Sequence, residues 1–378
     1  MKILLLGDPE SVHTQRWANA LAKKGIRVFL FGLYEYKPEW FHPSISIYVP
    51  KSYLRIKSKP DGSLSKLLYL QNIFALKKFI KKNDPDIIHA HYASSYGLLG
   101  ALSRFHPFII SVYGSDIYTF PQKNIFTKNL IKFNLLMADR LLSTSNVMVG
   151  ETKKYTKKHI EVTPFGIDIN VFYPFYSKEP LFDKNDIIIG TVKTLENKYG
   201  IEYLIKAFNI VKNKYPYLPL KLLLVGKGSK EFELKKIVYE LSIADVTKFT
   251  GFIDYNDIPK YHNMLDISVF VSIDDSESFG VSVLEAMACG KPVIVSDAGG
   301  LPEVVKKDVT GLIVEKENVV QTANAIEKLL LDKDMRLKLG INGRERVKIK
   351  YSLDDSISQM IKIYETTVTK ELSHESAE

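Results

Sequence analysis

Cysteine is nearly absent from this chain, since Cys289 is the single one among 378 residues. One cysteine excludes an internal disulfide, which fits a reducing compartment such as the cytoplasm. Long apolar runs are absent too, because no stretch reaches the roughly 18 residues expected of a membrane-spanning helix. The opening letters "MKILLLG" are too few for a signal peptide and are typical of a first strand. The sequence therefore predicts a cytoplasmic protein.

Positive charge is concentrated in the N-terminal part. Residues 1–170 hold 24 of the 52 basic and 12 of the 43 acidic residues, which gives a net charge of +12. The rest of the chain carries 28 basic and 31 acidic residues, which gives −3. This asymmetry predicts an anionic partner for the N-terminal part, either a membrane surface, a phosphorylated compound or a nucleic acid. A solvated, lysine-rich surface without a partner is the alternative interpretation.

The chain is too long for one ordinary core, so two domains are expected. Short β-rich runs alternate with helical patterns, and several runs, such as "KILLLG" and "KLLLVG", are continuously apolar. Strands buried on both faces have this pattern, so we expect parallel sheets covered by helices. The predicted strands are Lys2–Gly7, Arg27–Gly32, Ile45–Pro50, Ile87–His91, Phe108–Gly114 and Arg140–Ser145 in the first series, and Ile187–Val192, Leu220–Gly226, Lys248–Phe252, Ile267–Ser272, Pro292–Ser296 and Gly311–Val314 in the second.

A segment without periodicity separates the two series of strands. Thr163–Pro180 carries three prolines and one glycine, which is typical of a linker. The predicted domains are therefore 1–168 and 169–351, both Rossmann-like. Residues 352–378 are predicted to form a helix over Ser352–Val368 that crosses back to the N-terminal domain, followed by a frayed tail. Ligands of such α/β domains bind at the carboxyl ends of their strands.

The stretch "ESFGVSVLEAMACGKPVIVSDAGG" combines two carboxylates with a helix start. A helix is predicted from Phe279–Gly280 to Cys289, with Gly290 as its left-handed end. Its first turn offers free N–H groups and the positive end of the helix dipole, which suit a phosphate. Glu277 precedes the helix and Glu285 lies inside it, so the two acids can flank that phosphate and accept hydrogen bonds from paired hydroxyl groups. A nucleotide sugar fits this arrangement, and two solvated surface acids are the alternative.

The longer stretch "ESFGVSVLEAMACGKPVIVSDAGGLPEVV" closely resembles the donor-site segment of the retaining glycosyltransferases of family 4. That family has the GT-B fold, in which two doubly wound Rossmann-like domains face each other across a cleft. The resemblance implies that Glu277 contacts the donor sugar and that Glu285 holds the ribose hydroxyl groups. It also implies that the backbone N–H groups of Phe279, Gly280 and Val281 meet the phosphate and the sugar.

Two further segments carry the resemblance through the C-terminal domain. "GTVKTLENKYGIEYLIKAF" resembles the segment whose two basic residues bind the donor diphosphate, which implies Lys193 and Lys198. The first of these is more usually an arginine, so Lys193 keeps the charge but gives up bidentate geometry. "LLLVGKGSKEFELKK" and "FTGFIDYNDIPKYHNMLDISVFVS" resemble the elements beside the nucleotide and its base, which implies substrate contacts at Gly226 and, through the backbone, at Phe252.

The N-terminal domain, to which the resemblance assigns the acceptor, departs more from the family pattern. "GDPESVHTQRWANALAKKGIRV" lacks the family's usual Gly-Gly pair and places Arg16 near the helix start, where it could bind an anionic acceptor. "SVYGSDIY" has Tyr113 where the family often has a histidine, and Asp116 is the nearby polar residue that we name as a catalytic candidate. His89 and His91 lie two residues apart on one strand, but no third metal ligand is evident.

The sequence predicts a retaining, metal-independent glycosyltransferase without a cofactor, which moves a hexose or hexosamine to an acceptor hydroxyl group. The base of the nucleotide donor is left open among UDP, GDP and ADP. Pathways for cell-envelope polysaccharide, lipopolysaccharide or glycolipid are the expected setting. The alternatives are a GT-B sugar-nucleotide epimerase and a non-enzymatic nucleic-acid-binding protein, the latter suggested by "KKYTKKH" but supported by no recognition motif.

Two basic, aromatic stretches of the N-terminal domain suggest binding to the inner face of the cytoplasmic membrane. These are "SKLLYLQNIFALKKFIKK", which starts at Ser65, and "FPQKNIFTKNLIKFNLLM", which starts at Phe120. In the second stretch Phe126, Leu130, Phe133 and Met137 follow helical spacing, and lysines lie beside them. A basic helix with an apolar face can lie in a membrane interface, although such a face more often packs on the sheet.

Overall fold

The computed structural model describes residues 1–51, 70–177 and 181–375. The predicted basic stretch that begins at Ser65 therefore lies partly outside the described residues. The chain divides into two compact units. Unit 1 comprises Met1–Pro164 and Ser356–Glu378, and unit 2 comprises Phe165–Asp355.

Unit 1 is built on a parallel sheet of seven strands in the order β3-β2-β1-β4-β5-β6-β7. The continuously apolar β1 lies inside this sheet between β2 and β4, and residues on both of its faces are buried. The strands are β1 (Lys2–Leu6), β2 (Arg27–Phe31), β3 (Ser46–Tyr48), β4 (Ile87–His91), β5 (Phe108–Val112), β6 (Arg140–Ser143) and β7 (Ile160–Val162).

Helices connect these strands, as parallel pairing requires. Helix α1 (Val12–Lys23) turns its apolar side to the core through Trp17, Ala18 and Leu21, and Gly25 follows it with a φ of 81°. The other helices of unit 1 are α2 (Ile73–Asn83), α3 (Ser95–Ser103), α4 (Ser115–Tyr118), α5 (Ile125–Met137) and α6 (Asn146–Thr152).

Unit 2 has a parallel sheet of six strands in the order β10-β9-β8-β11-β12-β13. Its strands are β8 (Ile187–Val192), β9 (Leu220–Val225), β10 (Thr247–Phe249), β11 (Ile267–Phe270), β12 (Val293–Ser296) and β13 (Leu312–Val314). Its helices are α7 (Ile201–Lys214), α8 (Glu231–Glu240), α9 (Ile258–Met264), α10 (Val281–Ala288), α11 (Leu301–Val304), α12 (Val319–Leu331) and α13 (Lys333–Lys350). The last helix, α14 (Leu353–Glu375), begins at the end of unit 2 and continues in unit 1.

The strand order of each sheet reverses direction at one place. In unit 1, β2 lies on one side of β1 and β4 lies on the other. In unit 2, β9 and β11 lie on the two sides of β8 in the same way. The loops that follow the two strands diverge at such a switch point and leave a crevice, which is the usual ligand site of a doubly wound sheet. The residues after β1 and β4, and those after β8 and β11, therefore occupy the favoured positions for a site.

The predicted α/β class and the two Rossmann-like domains are confirmed. The predicted strands all correspond to strands of the structure, whereas the short β7 was not predicted. Most of the predicted linker belongs to unit 2, because Phe165, Ile167 and Phe172 are buried there. Helix α14 extends beyond the predicted Val368. Among the described residues, no helix combines the length and the apolar character needed to cross a membrane.

Candidate functional site

An ion pair lies at the switch point of the sheet in unit 2. Lys193 follows β8 directly, and Glu277 lies in the loop between β11 and α10. The Lys193 Nζ atom lies 2.6 Å from Oε2 of Glu277, and only 15% and 10% of the two side chains are exposed. Two residues that sequence reasoning assigned separately to the diphosphate and to the sugar are thus in direct contact.

Opposing effects set the charge state of Lys193. Burial would lower the pKa of its ammonium group, but Glu277, Tyr199 and Glu285 together raise that pKa above its ordinary value. The net direction is upward, so Lys193 is charged at neutral pH. A fixed, charged ammonium group in a largely dehydrated position is suited to stabilise negative charge on a ligand.

Tyr199 joins the two predicted diphosphate ligands. The ammonium group of Lys193 lies 4.2 Å from the centre of the Tyr199 ring, and that of Lys198 lies 4.9 Å from the same centre. Both distances are within the range of cation–π attraction. Lys198 is half-buried, and its carbonyl oxygen accepts a hydrogen bond of 2.9 Å from the N–H group of Ile273. The ring therefore orients both lysines, a role that was not predicted.

A glycine pair supports the loop that carries Glu277. The Gly300 N–H group donates to the Glu277 carbonyl oxygen at 2.8 Å. Gly299 has a φ of 49°, and a Cβ atom there would lie 2.2 Å from the same oxygen. Only glycine permits this close approach, so the Gly-Gly letters after β12 fix the position of Glu277. The Ser272 hydroxyl group adds a longer hydrogen bond to its Oε2 atom at 3.4 Å.

Helix α10 starts close to its predicted position. Gly280 is its N-cap residue and has a left-handed conformation, with a φ of 91°, and Val281 is the first helical residue. The Phe279 side chain is buried between the rings of Phe165 and Tyr351, at centroid distances of 6.0 and 5.8 Å. This packing leaves the backbone of Phe279 as the group available to a ligand, and the contact implied for it stays a prediction.

Glu285 lies inside α10 and is 4% exposed. The Tyr255 hydroxyl group donates a hydrogen bond of 3.0 Å to its Oε1 atom, and Nε2 of the buried His262 lies 3.7 Å from Oε2. The ring of Phe172 packs against both Tyr255 and His262. Neither Tyr255 nor His262 was singled out from the sequence. The ribose-binding role of Glu285 stays a prediction.

Gly226 brings the end of β9 against Lys193. Its φ is 134°, and a Cβ atom there would lie 2.1 Å from the Lys193 carbonyl oxygen. The Gly226 N–H group also donates to the Gly251 carbonyl oxygen at 3.2 Å. Phe252 follows Gly251, and 73% of its side chain is exposed. The substrate contacts predicted for Gly226 and Phe252 stay predictions.

In unit 1, the Asp116 carboxylate is bound by backbone groups. Its Oδ1 atom accepts from the N–H groups of Tyr113 (3.2 Å) and Gly114 (2.8 Å), and Oδ2 accepts from Ala93 (2.7 Å). Burial raises the pKa of this carboxyl group, although the backbone hydrogen bonds oppose that shift. Asp116 is 1% exposed and connects the loops after β4 and β5. These contacts favour a structural role, and the catalytic role stays a prediction.

The His89 and His91 pair does not form a metal centre. The Nδ1 atom of His89 makes a hydrogen bond with the Tyr364 hydroxyl group and Nε2 makes one with the Ser111 hydroxyl group, both at 2.7 Å. No nitrogen of His89 is left for a metal ion. Within residues 1–51, 70–177 and 181–375, no group of three or more His, Cys, Asp or Glu side chains is arranged to hold one.

Two protein-family models match the chain. The model described as "Glycosyl transferases group 1" matches residues 172–346, and the model described as "Glycosyl transferase 4-like" matches residues 2–145. The matched ranges follow the two units and include the ion pair at the end of β8. The family suggested by the motifs is thus the family that both halves of the chain match.

Curated relatives and solved structures agree with this match. The N-acetyl-alpha-D-glucosaminyl L-malate synthase of Bacillus anthracis is 28% identical over 302 residues, 75% of each chain. The GDP-mannose-dependent alpha-(1-6)-phosphatidylinositol monomannoside mannosyltransferase of Mycobacterium tuberculosis is 34% identical over 205 residues, 52% of this chain and 53% of its own. The sucrose-phosphate synthase of Thermosynechococcus elongatus superposes with a TM-score of 0.82 over 97% of this chain and 98% of its own, at 23% identity.

Proposed function

The chain belongs to the glycosyl transferases of group 1, and we propose that it moves a hexose or hexosamine from a nucleotide-diphosphate sugar to an acceptor hydroxyl group with retention of configuration. The observation that carries this proposal is the contact between Lys193 and Glu277 at the switch point of unit 2. It combines a fixed cation and a carboxylate beside the N-terminus of α10. One relative is named as a GDP-mannose-dependent mannosyltransferase, which supports a nucleotide-sugar donor, and another as an N-acetyl-alpha-D-glucosaminyl L-malate synthase, which supports a hexosamine.

In this proposal positively charged groups hold the diphosphate of the donor, and carboxylates hold the hydroxyl groups of its sugar and ribose. Lys193 and Lys198 bind the diphosphate, and the backbone N–H groups at the start of α10 add the positive end of the helix dipole. Glu277 contacts the sugar, because its carboxylate accepts hydrogen bonds from hydroxyl groups but repels a phosphate. Glu285 accepts hydrogen bonds from the ribose hydroxyl groups in the same way.

The reaction exchanges one carbon–oxygen bond for another. The acceptor oxygen bonds to the anomeric carbon on the face from which the diphosphate leaves, and the bond from that carbon to the diphosphate oxygen breaks. The leaving diphosphate takes the proton of the acceptor hydroxyl group. Negative charge on the diphosphate is greatest as this bond breaks, so two fixed lysines and a helix N-terminus lower the barrier most at that point. In this proposal no metal ion or cofactor is required.

The acceptor belongs to unit 1, and we propose that it is lipid-linked or part of the cell envelope. Four large apolar side chains of α5 are exposed, namely Ile125 (71%), Phe126 (50%), Phe133 (40%) and Leu136 (66%). Of the predicted apolar stripe, Phe126 and Phe133 are exposed, whereas Leu130 and Met137 are only partly exposed. Lys128 and Lys132 are exposed on the same helix, so this surface combines apolar and basic groups. Its setting would be the cytoplasmic face of an anionic membrane.

The phosphatidylinositol derivative in the name of one relative supports a lipid acceptor. Neither alternative from the sequence is favoured. Both family matches are to glycosyl transferases.

A donor screen tests the proposed function. The purified full-length chain is incubated with UDP-, GDP- and ADP-sugars and an extract of bacterial lipids and polysaccharides, and the release of nucleoside diphosphate is measured. We expect release from at least one donor, product with the anomeric configuration of that donor, and activity within about a factor of two when EDTA is added. Glu277→Gln serves as the inactive control. Product of inverted configuration, or a strong loss in EDTA that magnesium or manganese restores, would contradict the proposed mechanism.

A further inference from the structure

Two polar side chains beside Glu285 have no part in the proposed reaction. Tyr255 opens a short 3₁₀ turn (Tyr255–Asp257), and His262 lies on α9, which follows this turn. The Tyr255 hydroxyl group donates a hydrogen bond of 3.0 Å to Oε1 of Glu285, and Nε2 of His262 lies 3.7 Å from Oε2. Each oxygen atom of the Glu285 carboxylate is therefore next to a polar group from the same short segment of the chain.

The burial of His262 is not explained by its packing. The side chain is fully buried, yet neither nitrogen of its ring has a hydrogen-bond partner among the described residues. A buried polar group without a partner costs about 1–3 kcal/mol, so an apolar side chain at this position would stabilise the fold more. At 3.7 Å the contact with Glu285 is electrostatic rather than a hydrogen bond. Attraction between a ring N–H group and the carboxylate gives the histidine a purpose that packing does not.

Phe172 fixes both neighbours of the carboxylate. Its ring is 1% exposed, and its centroid lies 5.7 Å from that of Tyr255 and 6.1 Å from that of His262. Contact with this buried ring limits the movement of the two polar side chains. Glu285 also helps to raise the pKa of Lys193, so the carboxylate that they border lies near the end of β8.

Orientation matters for a carboxylate that binds two adjacent hydroxyl groups. Fixing a freely rotating glutamate side chain costs up to about 1.5–2 kcal/mol of conformational entropy. A carboxylate that its neighbours already hold in place does not lose this entropy when the ligand arrives, so binding is tighter. The gain depends on the hydroxyl groups of the ligand. Residues that hold Glu285 should therefore influence the choice between ribose and deoxyribose.

We propose that Tyr255 and His262 are positioning residues that orient the carboxylate of Glu285, and that they give the donor site a preference for a ribonucleotide over a 2′-deoxyribonucleotide. This inference rests on the proposed function, in which Glu285 binds the ribose hydroxyl groups. It deepens that function by naming the residues that make the contact selective.

Nucleotide binding tests the inference without requiring transfer. Isothermal titration calorimetry on the full-length chain compares UDP, GDP and ADP with their 2′-deoxy counterparts. The measured quantity is the discrimination ratio, the dissociation constant of the deoxy form divided by that of the ribose form. For the base that binds most tightly, we expect a ratio of at least about tenfold in the wild type, the equivalent of one charge-assisted hydrogen bond.

Four variants assign the ratio to residues. Glu285→Ala gives the ratio that remains without the carboxylate. Tyr255→Phe and His262→Phe should each lower the wild-type ratio by at least about threefold, because the carboxylate is less well oriented. A merely structural role would weaken both forms of the nucleotide by the same factor and leave the ratio unchanged. His262→Gln keeps an N–H donor and should retain more of the ratio than His262→Phe.

Tyr239→Phe is the matched control, because Tyr239 is an exposed tyrosine of the same unit. Its ratio should equal that of the wild type. Circular dichroism melting curves establish that each variant is folded, and His262→Met replaces His262→Phe if the latter is not.

An unchanged ratio in Tyr255→Phe or in His262→Phe would refute the role of that residue. A His262→Gln ratio no higher than that of His262→Phe would refute the role of the N–H group. If Glu285→Ala abolishes the preference while both other positions leave it intact, the ribose contact of the proposed function stands and only this inference fails. A wild type without a preference, or an unchanged ratio in Glu285→Ala, would contradict the ribose contact itself and this inference with it.

Discussion

The ammonium group of Lys193 lies 2.6 Å from the carboxylate of Glu277 and connects the end of β8 to the loop after β11. Each group offsets the charge of the other in a largely buried position. A diphosphate bound to Lys193 would have to share the ammonium group with Glu277. In the proposed mechanism the pair couples the contact to the sugar to the contact with the leaving diphosphate, and substitutions of the two residues should affect transfer and diphosphate binding to different extents.

Glu277→Gln should nearly abolish transfer without weakening the affinity for the nucleoside diphosphate, because it removes a carboxylate that competes for the Lys193 ammonium group. The substitution keeps the shape of the side chain but removes the charge that balances Lys193 and that we propose to contact the sugar. Initial rates and calorimetry with the nucleoside diphosphate measure the two effects. Glu240→Gln, which breaks the exposed Lys236–Glu240 pair, is the matched control. An equal loss of nucleoside diphosphate binding would contradict the role of Glu277.

Glu285→Ala should mainly weaken nucleotide affinity, by about 1.5–3 kcal/mol if the carboxylate makes charge-assisted hydrogen bonds to the ribose. Tyr255→Phe removes only the hydroxyl group that donates to Glu285 and should have a smaller effect. Calorimetry with the nucleoside diphosphate measures the loss of affinity, and calorimetry with the free base, which lacks the ribose, shows whether binding of the base has changed as well. A dissociation constant that Glu285→Ala leaves unchanged would refute the ribose assignment.

Lys193→Ala and Lys198→Ala should each lower kcat, by about 10²-fold, more than they raise KM. The reason is that negative charge on the diphosphate is greatest in the transition state. Lys193→Ala should also lower the free energy of unfolding, because it leaves the largely buried carboxylate of Glu277 without its ion-pair partner. Lys198→Ala should have little effect on the free energy of unfolding, because Lys198 is only half-buried. Steady-state kinetics and urea denaturation measure the two quantities. A change confined to KM would make either lysine a simple binding residue.

His91 should make the stability of the protein depend on pH between about pH 6 and pH 4. Its pKa falls from 6.5 to about 3 on folding, so the unfolded chain takes up a proton in this window and the folded chain does not. The free energy of unfolding therefore falls as the pH falls, by about 1.4 kcal/mol per pH unit for this one group. Urea denaturation of the wild type and of His91→Asn across this range should give slopes that differ by this amount. Parallel curves would show that His91 is not held neutral.

Binding to anionic vesicles should depend on the exposed side chains of α5. The protein should sediment with vesicles that contain anionic lipid and dissociate as the salt concentration rises from about 50 to 500 mM. Replacing Phe126 and Phe133 by serine should weaken binding, and reversing the charge of Lys128 and Lys132 should weaken it further. Phe232→Ser, an exposed phenylalanine of unit 2, is the matched control. Protein that stays in the supernatant at low salt would point to an acceptor that is not bound to a membrane.

The fold could be predicted from the sequence wherever a strand is a continuous apolar run. "KILLLG" forms β1, the strand at which the order reverses in unit 1. "KLLLVG" forms β9, which neighbours β8, the corresponding strand of unit 2. The edge strand β7 was missed because it has only three residues and includes Glu161. The predicted linker contains the boundary between the two units, but its prolines and its lack of periodicity gave no sign that Phe165, Ile167 and Phe172 are buried in unit 2.

The site was only partly accessible from the sequence. Lys193 and Glu277 belong to recognisable motifs, and their contact in three dimensions is consistent with a shared site. Tyr199, Tyr255 and His262 lie in segments that resemble the family, but none was singled out, because an aromatic residue has the same appearance in a sequence whether it packs in a core or contacts a charged side chain. From the sequence, His91 was considered only as a metal ligand. Its distinguishing feature is that both ring nitrogens are buried without a hydrogen-bond partner among the described residues, which only the three-dimensional structure reveals.

Helix α14 completes unit 1 although it follows the whole of unit 2 along the chain. Its Ile357, Met360 and Tyr364 are buried, and the Tyr364 hydroxyl group reaches His89 on the central strand β4. As the polypeptide leaves the ribosome, unit 2 emerges as one uninterrupted stretch, whereas unit 1 lacks a packing helix until α14 has been made. Unit 1 begins first along the chain and is therefore completed after unit 2, and a message that ends just after unit 2 would release a chain whose first unit lacks this helix.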